Sequence, residues 1–538
     1  MRYGCRLGVV VGAVLVTSFV LIAPAFAHAE LERSSPAAGS VLQRSPHQIS
    51  LTFGESVIAS GAAIRLYDDR LSAVPIGAVR HLEGHGDLVG VDLPRPLRTG
   101  TYVVTWRVTS ADTHVVSGSF TFSVGHATAL SGAPPANGRD PTTSRLAAIV
   151  RGFGYAGLVA GPGALVVIAW LWPTGLGRRR VQWLLAGGVV LLVAGTLASV
   201  VLQGAAAAGV SVGDAFDGST LQLGMAGRFG RAVGARLVLV IAMAELAILG
   251  RRRGRVSPVQ VSIVLAALTA TWPYAGHSGT GDLAPLAFVA DWAHIAAMAT
   301  WLGGIAMLLV GPLAGKDPRA DPPLGVTAAF SEWALNAVTL LVATGLFSAW
   351  RNVRSFGALT ATHYGHLLLW KSAFVLVLLA IARVSRRQAA QRSGEATVPL
   401  LRRAVGAEAF GAAVILGITG FLTGAPLASQ TYAPAFTRSA TTGGLTVTVH
   451  VDRTGVGQAH LLVSAARAGT PQRIAHITGS LTEVNPPIGP LPVTFAGSAL
   501  GREAATVTFP SAGDWSLQLR VQTSSITAVA VETTIHVR

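Results

Sequence analysis

Apolar and polar residues follow three different rhythms along this chain. In the N-terminal part they alternate. Ile49-Ser50-Leu51-Thr52-Phe53, Tyr102 to Val108 and Ser119 to Val124 each put apolar side chains on one face of an extended strand. Turn formers punctuate these runs at Ser34-Ser35-Pro36, Gly39, Gly84 to Gly86 and Arg98-Thr99-Gly100. The pattern predicts an all-β, immunoglobulin-like sandwich over residues 28–125. Residues 126–144, rich in Gly, Ala, Pro and Thr, read as a linker. Over residues 145–428 the alternation gives way to continuous apolar runs, near 147–172, 182–203, 233–249, 257–274, 286–313, 326–349, 366–383 and 402–425. Each approaches or exceeds the roughly 20 residues that span a bilayer. They predict an eight-helix transmembrane bundle in contact with lipid. Alternation returns at Leu445 to Val449 and Trp515 to Val521, which predicts a second all-β domain over 429–538.

Residues 1–27 precede all of this. Arg2 and Arg6 lead into the apolar stretch Leu7 to Ile22, and Ala25-Phe26-Ala27 offers small residues to a peptidase. That is the pattern of a secretory signal. Cleavage after Ala27 makes His28 the first residue of the exported protein.

Composition agrees with this division. The 538 residues are 51% hydrophobic and 12% charged, against roughly 25% charged in an ordinary soluble domain. The net charge of +16 does not call for nucleic acid, because the basic residues cluster between apolar runs. Fifteen Lys and Arg lie in the odd-numbered connections between spans, among them Arg178 to Arg180 and Arg251 to Arg253, and four in the even-numbered ones. The positive-inside rule then places the odd connections in the cytoplasm. This predicts a multi-pass plasma-membrane protein with both terminal domains extracytoplasmic, and it requires an even number of spans. The one cysteine, Cys5, lies in the signal segment. The exported chain is therefore expected to lack disulfides and thiolate sites, so a metal must be held by His, Asp, Glu, Met or backbone groups. The absence of a phosphate-binding G-x4-G-K-[ST] loop argues against nucleotide-driven transport.

Metal chemistry starts at His28. A free N-terminal histidine offers its α-amine and imidazole Nδ1 to one ion, and two nitrogens in a plane suit tetragonal Cu(II). In Ser110-Ala111-Asp112-Thr113-His114, Asp112 and His114 stand two apart, on one side of extended backbone. A mixed nitrogen and oxygen set without sulfur favours Cu(II) over Cu(I). An Asx-type turn is the plain alternative for this pair. In the fifth apolar run Asp291, His294, Met298 and Trp301 recur at helical spacing and form one stripe. Ionisable groups inside a span are costly and face the bundle interior or a water-filled path. The stripe either offers oxygen, nitrogen and sulfur donors to copper, with His277 as an entry ligand, or hydrogen-bonds neighbouring helices. Lys371 and Glu408 read as a buried structural pair. His47, His81, His85, His126 and the four histidines of the C-terminal domain read as surface residues.

These residues carry a resemblance. His28-Ala29, Leu51-Thr52-Phe53-Gly54-Glu55, Tyr102-Val103-Val104-Thr105-Trp106-Arg107-Val108 and Ser110-Ala111-Asp112-x-His114-x3-Gly118 resemble the CopC family of periplasmic copper carriers. The resemblance implies that His28, Asp112 and His114 ligate Cu(II), with Glu55 supporting the site from behind. Thr113 stands where that family usually has Gly. Residues 28–125 contain no Met, so a Met-rich Cu(I) site is not expected. Ala275-Gly276-His277, Asp291-Trp292-x-His294-x6-Trp301-Leu302-Gly303-Gly304, Tyr364-Gly365-x-Leu367-Leu368-Leu369-x-Lys371, Glu408 and Gly424-Ala425-Pro426 resemble CopD. The whole resembles a CopC–CopD fusion. It implies a copper-homeostasis protein, not an enzyme, that captures Cu(II) outside and moves copper inward. An external copper buffer on a membrane anchor, giving resistance without transport, is the rival reading. A copper monooxygenase-like enzyme is a remote one, because a carboxylate from Asp112 would fill a position that oxygen needs. No donor or acceptor protein is named by these residues.

Overall fold

The computed structural model describes residues 31–59, 63–110, 115–128, 141–276, 283–314, 323–391, 398–484, 487–499, 501–509, 513–524 and 527–537. His28, Asp112, His114 and His277 lie outside the described residues.

The N-terminal alternation does form a sandwich. One sheet has the order β1 (Leu31–Ser35), β3 (Gln48–Phe53), β8 (Leu88–Asp92), β7 (Arg80–His81). The other runs β2 (Val41–Leu42), β10 (Val115–Val124), β9 (Gly100–Ser110), β5 (Ile64–Tyr67), β6 (Ala73–Val74), with β4 (Val57–Ile58) also on β9. Ile49, Leu51 and Phe53 from the first sheet meet Val104, Trp106 and Phe122 from the second in one closed core. Trp106 packs edge-on to Phe53, with ring centroids 5.2 Å apart. Gly118 stands opposite Trp106 in the register. A Cβ there would lie 2.5 Å from Trp106 Cζ2. Gly118→Val should therefore destabilise the sandwich by about 1–3 kcal/mol through overpacking. Urea unfolding of the exported N-terminal domain measures this, and an unchanged midpoint would contradict it.

The apolar middle is helical. It comprises α1 (Pro141–Leu158), α2 (Ala164–Leu171), α3 (Arg179–Ala208), α4 (Gly218–Gly224), α5 (Gly227–Arg253), α6 (Pro258–Ala275), α7 (Ala284–Val310), α8 (Pro323–Val353), α9 (Phe356–Ala361), α10 (His363–Gln391), α11 (Val398–Leu422) and α12 (Ala428–Thr431). A single π-helical turn, Val159–Gly163, joins α1 to α2 and contains Pro162. Among the described residues seven helices, not eight, are long and apolar enough to cross a membrane. The shortfall is α6, the expected fourth span. It has 18 residues, about 27 Å of helix at 1.5 Å per residue. Its last turns carry Thr269, Thr271, Trp272, Pro273 and Tyr274, which dilute its apolar character.

Glycines let the centre of the bundle close. A Cβ on Gly188 of α3 would run into the backbone of Ala160 and Gly161 in the π turn. A Cβ on Gly163 would strike the Ala299 carbonyl of α7, and one on Gly303 would lie 2.5 Å from the Ala164 nitrogen. The first span thus touches α3 on one side and α7 on the other, backbone to backbone.

The C-terminal strands form a second sandwich. One sheet has the order β11 (Phe436–Thr442), β12 (Leu445–Val451), β13 (Gly457–Arg467), β18 (Arg502–Phe509), β17 (Phe495–Ala499), with β14 (Thr470–Pro471) on β13. The other is β16 (Pro487–Val493), β15 (His476–Val484), β19 (Gly513–Gln522), β20 (Ala528–Val537). Its core is centred on Trp515 and Phe509. Ala38 of the N-terminal sandwich packs against this core as well as its own.

Candidate functional site

Strand register gathers the first candidate site at one end of the N-terminal sandwich. The described chain starts at Leu31, paired with Phe53. Glu55 follows two residues later and is half-buried. Val57, two further on, pairs with Ser110 at the end of β9. β9 and β10 pair from Thr109 and Val115 onward, and Asp112 and His114 belong to the segment between them, outside the described residues. The start of β1 at Leu31, the Glu55 turn and the end of β9 at Ser110, which are distant in sequence, therefore reach the same end.

The second candidate site is in the membrane domain. Asp291 and His294 lie one turn apart on α7 and face α8. Asp291 Oδ1 accepts a hydrogen bond of 3.0 Å from Ser348. His294 Nδ1 is 2.9 Å from Thr344 Oγ1. The hydroxyl of Thr344 itself donates to the Leu340 carbonyl at 2.6 Å, so it is left to accept from the imidazole. The ring lies beside Gly345 of α8, where a Cβ would be in ordinary contact with it, 3.5 Å from His294 Cε1. One turn outward on α8, Asn352 donates to Tyr364 Oη of α10 at 3.0 Å. The ammonium of Lys371, also on α10, interacts with the charge of Asp291. Asp291 is thus a carboxylate whose charge reaches Lys371, beside the expected pairing of Lys371 with Glu408.

A polar seam between α7, α8 and α10 results. Thr344, Ser348 and Asn352 recur every four residues along α8, the spacing of one helix face. That signal was legible in the sequence and was missed, because hydroxyls and amides raise no alarm in an apolar run. Met298 lies outside the seam. It is buried in the apolar core of the bundle with Leu302 and Ile305. Among the described residues no three His, Cys, Asp or Glu side chains converge as a metal-binding group.

A second buried polar group stands apart from the seam. Arg236 of α5 is 6% exposed. Its Nε donates to Thr271 Oγ1 at 3.1 Å, and its guanidinium lies 3.7 Å from the Trp272 ring centroid. The aromatic face and the hydroxyl take up a charge that would otherwise be costly at this depth.

Known proteins match along most of this architecture. The CopC domain family matches residues 31–125. The N-terminal domain of copper resistance protein D-like proteins matches 142–285, and copper resistance protein D matches 324–422. The chain is 34% identical over 116 residues to copper resistance protein C of Xanthomonas campestris pv. juglandis, covering 21% of this chain and 91% of that protein. It belongs to the CopC–CopD fusion family. Copper transport protein CutJ of Bacillus subtilis (strain 168) is 26% identical over 384 residues, 69% of this chain and 70% of CutJ. Among solved structures, CopC from Methylosinus trichosporium OB3b is 31% identical over 18% of this chain and 93% of that one, with a TM-score of 0.17. Within this CopC–CopD protein, the sandwich end at Glu55 falls in the CopC match, whereas Asp291 and His294 lie in the stretch between the two D-type matches. The seam joins α7 to α8 and α10, both of which lie in the copper resistance protein D match. The names in the family point to copper transport and resistance rather than to catalysis.

Proposed function

We propose that this CopC–CopD protein captures Cu(II) outside the cell membrane and carries copper inward through the helix bundle. The observation that supports transport over simple anchoring is the polar seam. An anchor needs no half-buried carboxylate, imidazole and ammonium among apolar helices, where each is costly. His28, Asp112 and His114 hold Cu(II) as first ligands, and Glu55 orients them from behind. The donor set fits that ion, with nitrogen and oxygen ligands and no thiolate or thioether. His277 serves as the entry ligand. Asp291 and His294 then offer oxygen and nitrogen, and Met298, one turn deeper, is a soft donor among apolar side chains.

The arrangement supports an extracytoplasmic place for both β-domains. The N-terminal sandwich touches Ala206 near the end of α3, the end away from Arg178 to Arg180. Ala38 also brings it against the C-terminal sandwich. Two domains on one side require an even number of crossings, so α6 counts as a short eighth. Deleting the gene should lower cell copper under copper starvation, and re-expression should restore it. Unchanged copper content in the deletion strain would refute import and favour the buffer.

A further inference from the structure

The β9 strand carries the copper hairpin on its end and a contact to the bundle along its side. Tyr102, Val104, Trp106 and Val108 point into the sandwich core. The alternate residues point away from it, yet Thr105 is 2% and Thr109 4% exposed. Between them stands Arg107. Its Nη2 donates to the carbonyl of Ala206 at 2.8 Å.

Ala206 is in the last turn of α3, where four carbonyls have no donor within the helix. Ala205 is served by Gly209 and Val210. Gly209 ends the helix in the left-handed region, at φ 69°. A Cβ on Gly209 would lie 3.5 Å from Arg107 Nη1, so the guanidinium sits against the open end of the helix. A cation at a helix C-terminus also meets the negative end of its dipole.

We propose that Arg107 is a latch that docks the CopC sandwich on the outer end of α3 and holds the copper hairpin over the bundle. β9 ends at Ser110, three residues past Arg107. At about 3.4 Å per residue the hairpin begins roughly 10 Å from the latch. Transfer then occurs within one docked unit, at a local concentration set by the contact rather than by the 126–144 linker. The role of Arg107 is positioning, and this deepening of the function rests on the transport reading above.

The test uses the full-length protein in membranes, with Cys5→Ser and the exposed pair Ser117→Cys and Ser211→Cys. Ser117 stands opposite Arg107 in β10, and Ser211 lies two residues past Gly209. A short bis-maleimide should join the two cysteines with Arg107 present and with Arg107→Lys, and several-fold less with Arg107→Glu. Without the added cysteines, Arg107→Glu should raise the copper concentration for half-maximal uptake several-fold. Its maximal rate and the Cu(II) affinity of its sandwich should stay unchanged. Undiminished crosslinking in Arg107→Glu, or an unchanged half-maximal concentration, overturns the latch. Arg107-dependent crosslinking in a protein that moves no copper upholds the docking and refutes the transport reading.

Discussion

One additional residue ahead of His28 should weaken Cu(II) binding by the N-terminal domain by more than about a hundredfold. The extension turns the α-amine into an amide and breaks the chelate ring. Loss of an outer-shell partner alone typically costs 10–100-fold in metal affinity, and a first ligand should cost more. The binding is measured by competition with a chelator, on residues 28–125 with a native or an extended N-terminus. Electron paramagnetic resonance should show nitrogen hyperfine structure that is reduced by the extension. Equal, weak binding in both forms would remove His28 from the site. The hairpin pair and Glu55 would then be left without a metal role.

His294→Ala should reduce copper uptake by at least about tenfold, while Met298→Leu should reduce it far less. The histidine is the ring-nitrogen donor of the seam, and its removal leaves the Thr344 hydroxyl short of one neutral partner. That costs about 1 kcal/mol, small enough for the bundle to fold. Met298→Leu conserves volume in a packed core, so a large effect on uptake would assign its sulfur to the path. Asp291→Asn provides the third arm. It keeps an acceptor for Ser348 but strips Lys371 of its counter-charge, so protein level must be measured beside uptake. Radiocopper uptake normalised to membrane protein is the readout. Normal uptake by His294→Ala would reduce the seam to a structural network and favour the anchored buffer.

Much of this was readable from one dimension. The alternation at Ile49 to Phe53 and Tyr102 to Val108 falls inside β3 and β9, because a half-buried strand writes its faces at period two. The apolar runs became helices for the same reason that they were noticed, since backbone polar groups in lipid must bond internally. What stayed hidden depends on which helix turns toward which. Asp291 and His294 stood out as ionisable groups, but their partners Ser348 and Thr344 lie more than fifty residues away in sequence or close to it. That the charge of Asp291 reaches Lys371 of α10 is likewise a tertiary fact that no local pattern encodes. Crossing number was the other gap. Trp272, Pro273 and Tyr274 hold α6 at the border between a spanning and a non-spanning helix, and the side-by-side β-domains add to the parity argument that the Lys and Arg distribution makes for it.

The glycine contacts in the bundle have a mechanical consequence. Helices that meet backbone to backbone have no side-chain layer to shear against, so the first span, α3 and α7 form a rigid stator. The helices across the seam are built differently. Most of the α8 and α10 surface faces outward, and α8 meets the α7 polar groups through the single hydrogen bonds of Ser348 and Thr344. A rocking of α8 and α10 against the fixed α7 would break those bonds and shift Phe330 from its seat against Gly304. It would expose Asp291 and His294 first to one side and then to the other, with the stator and the docked sandwich remaining in place.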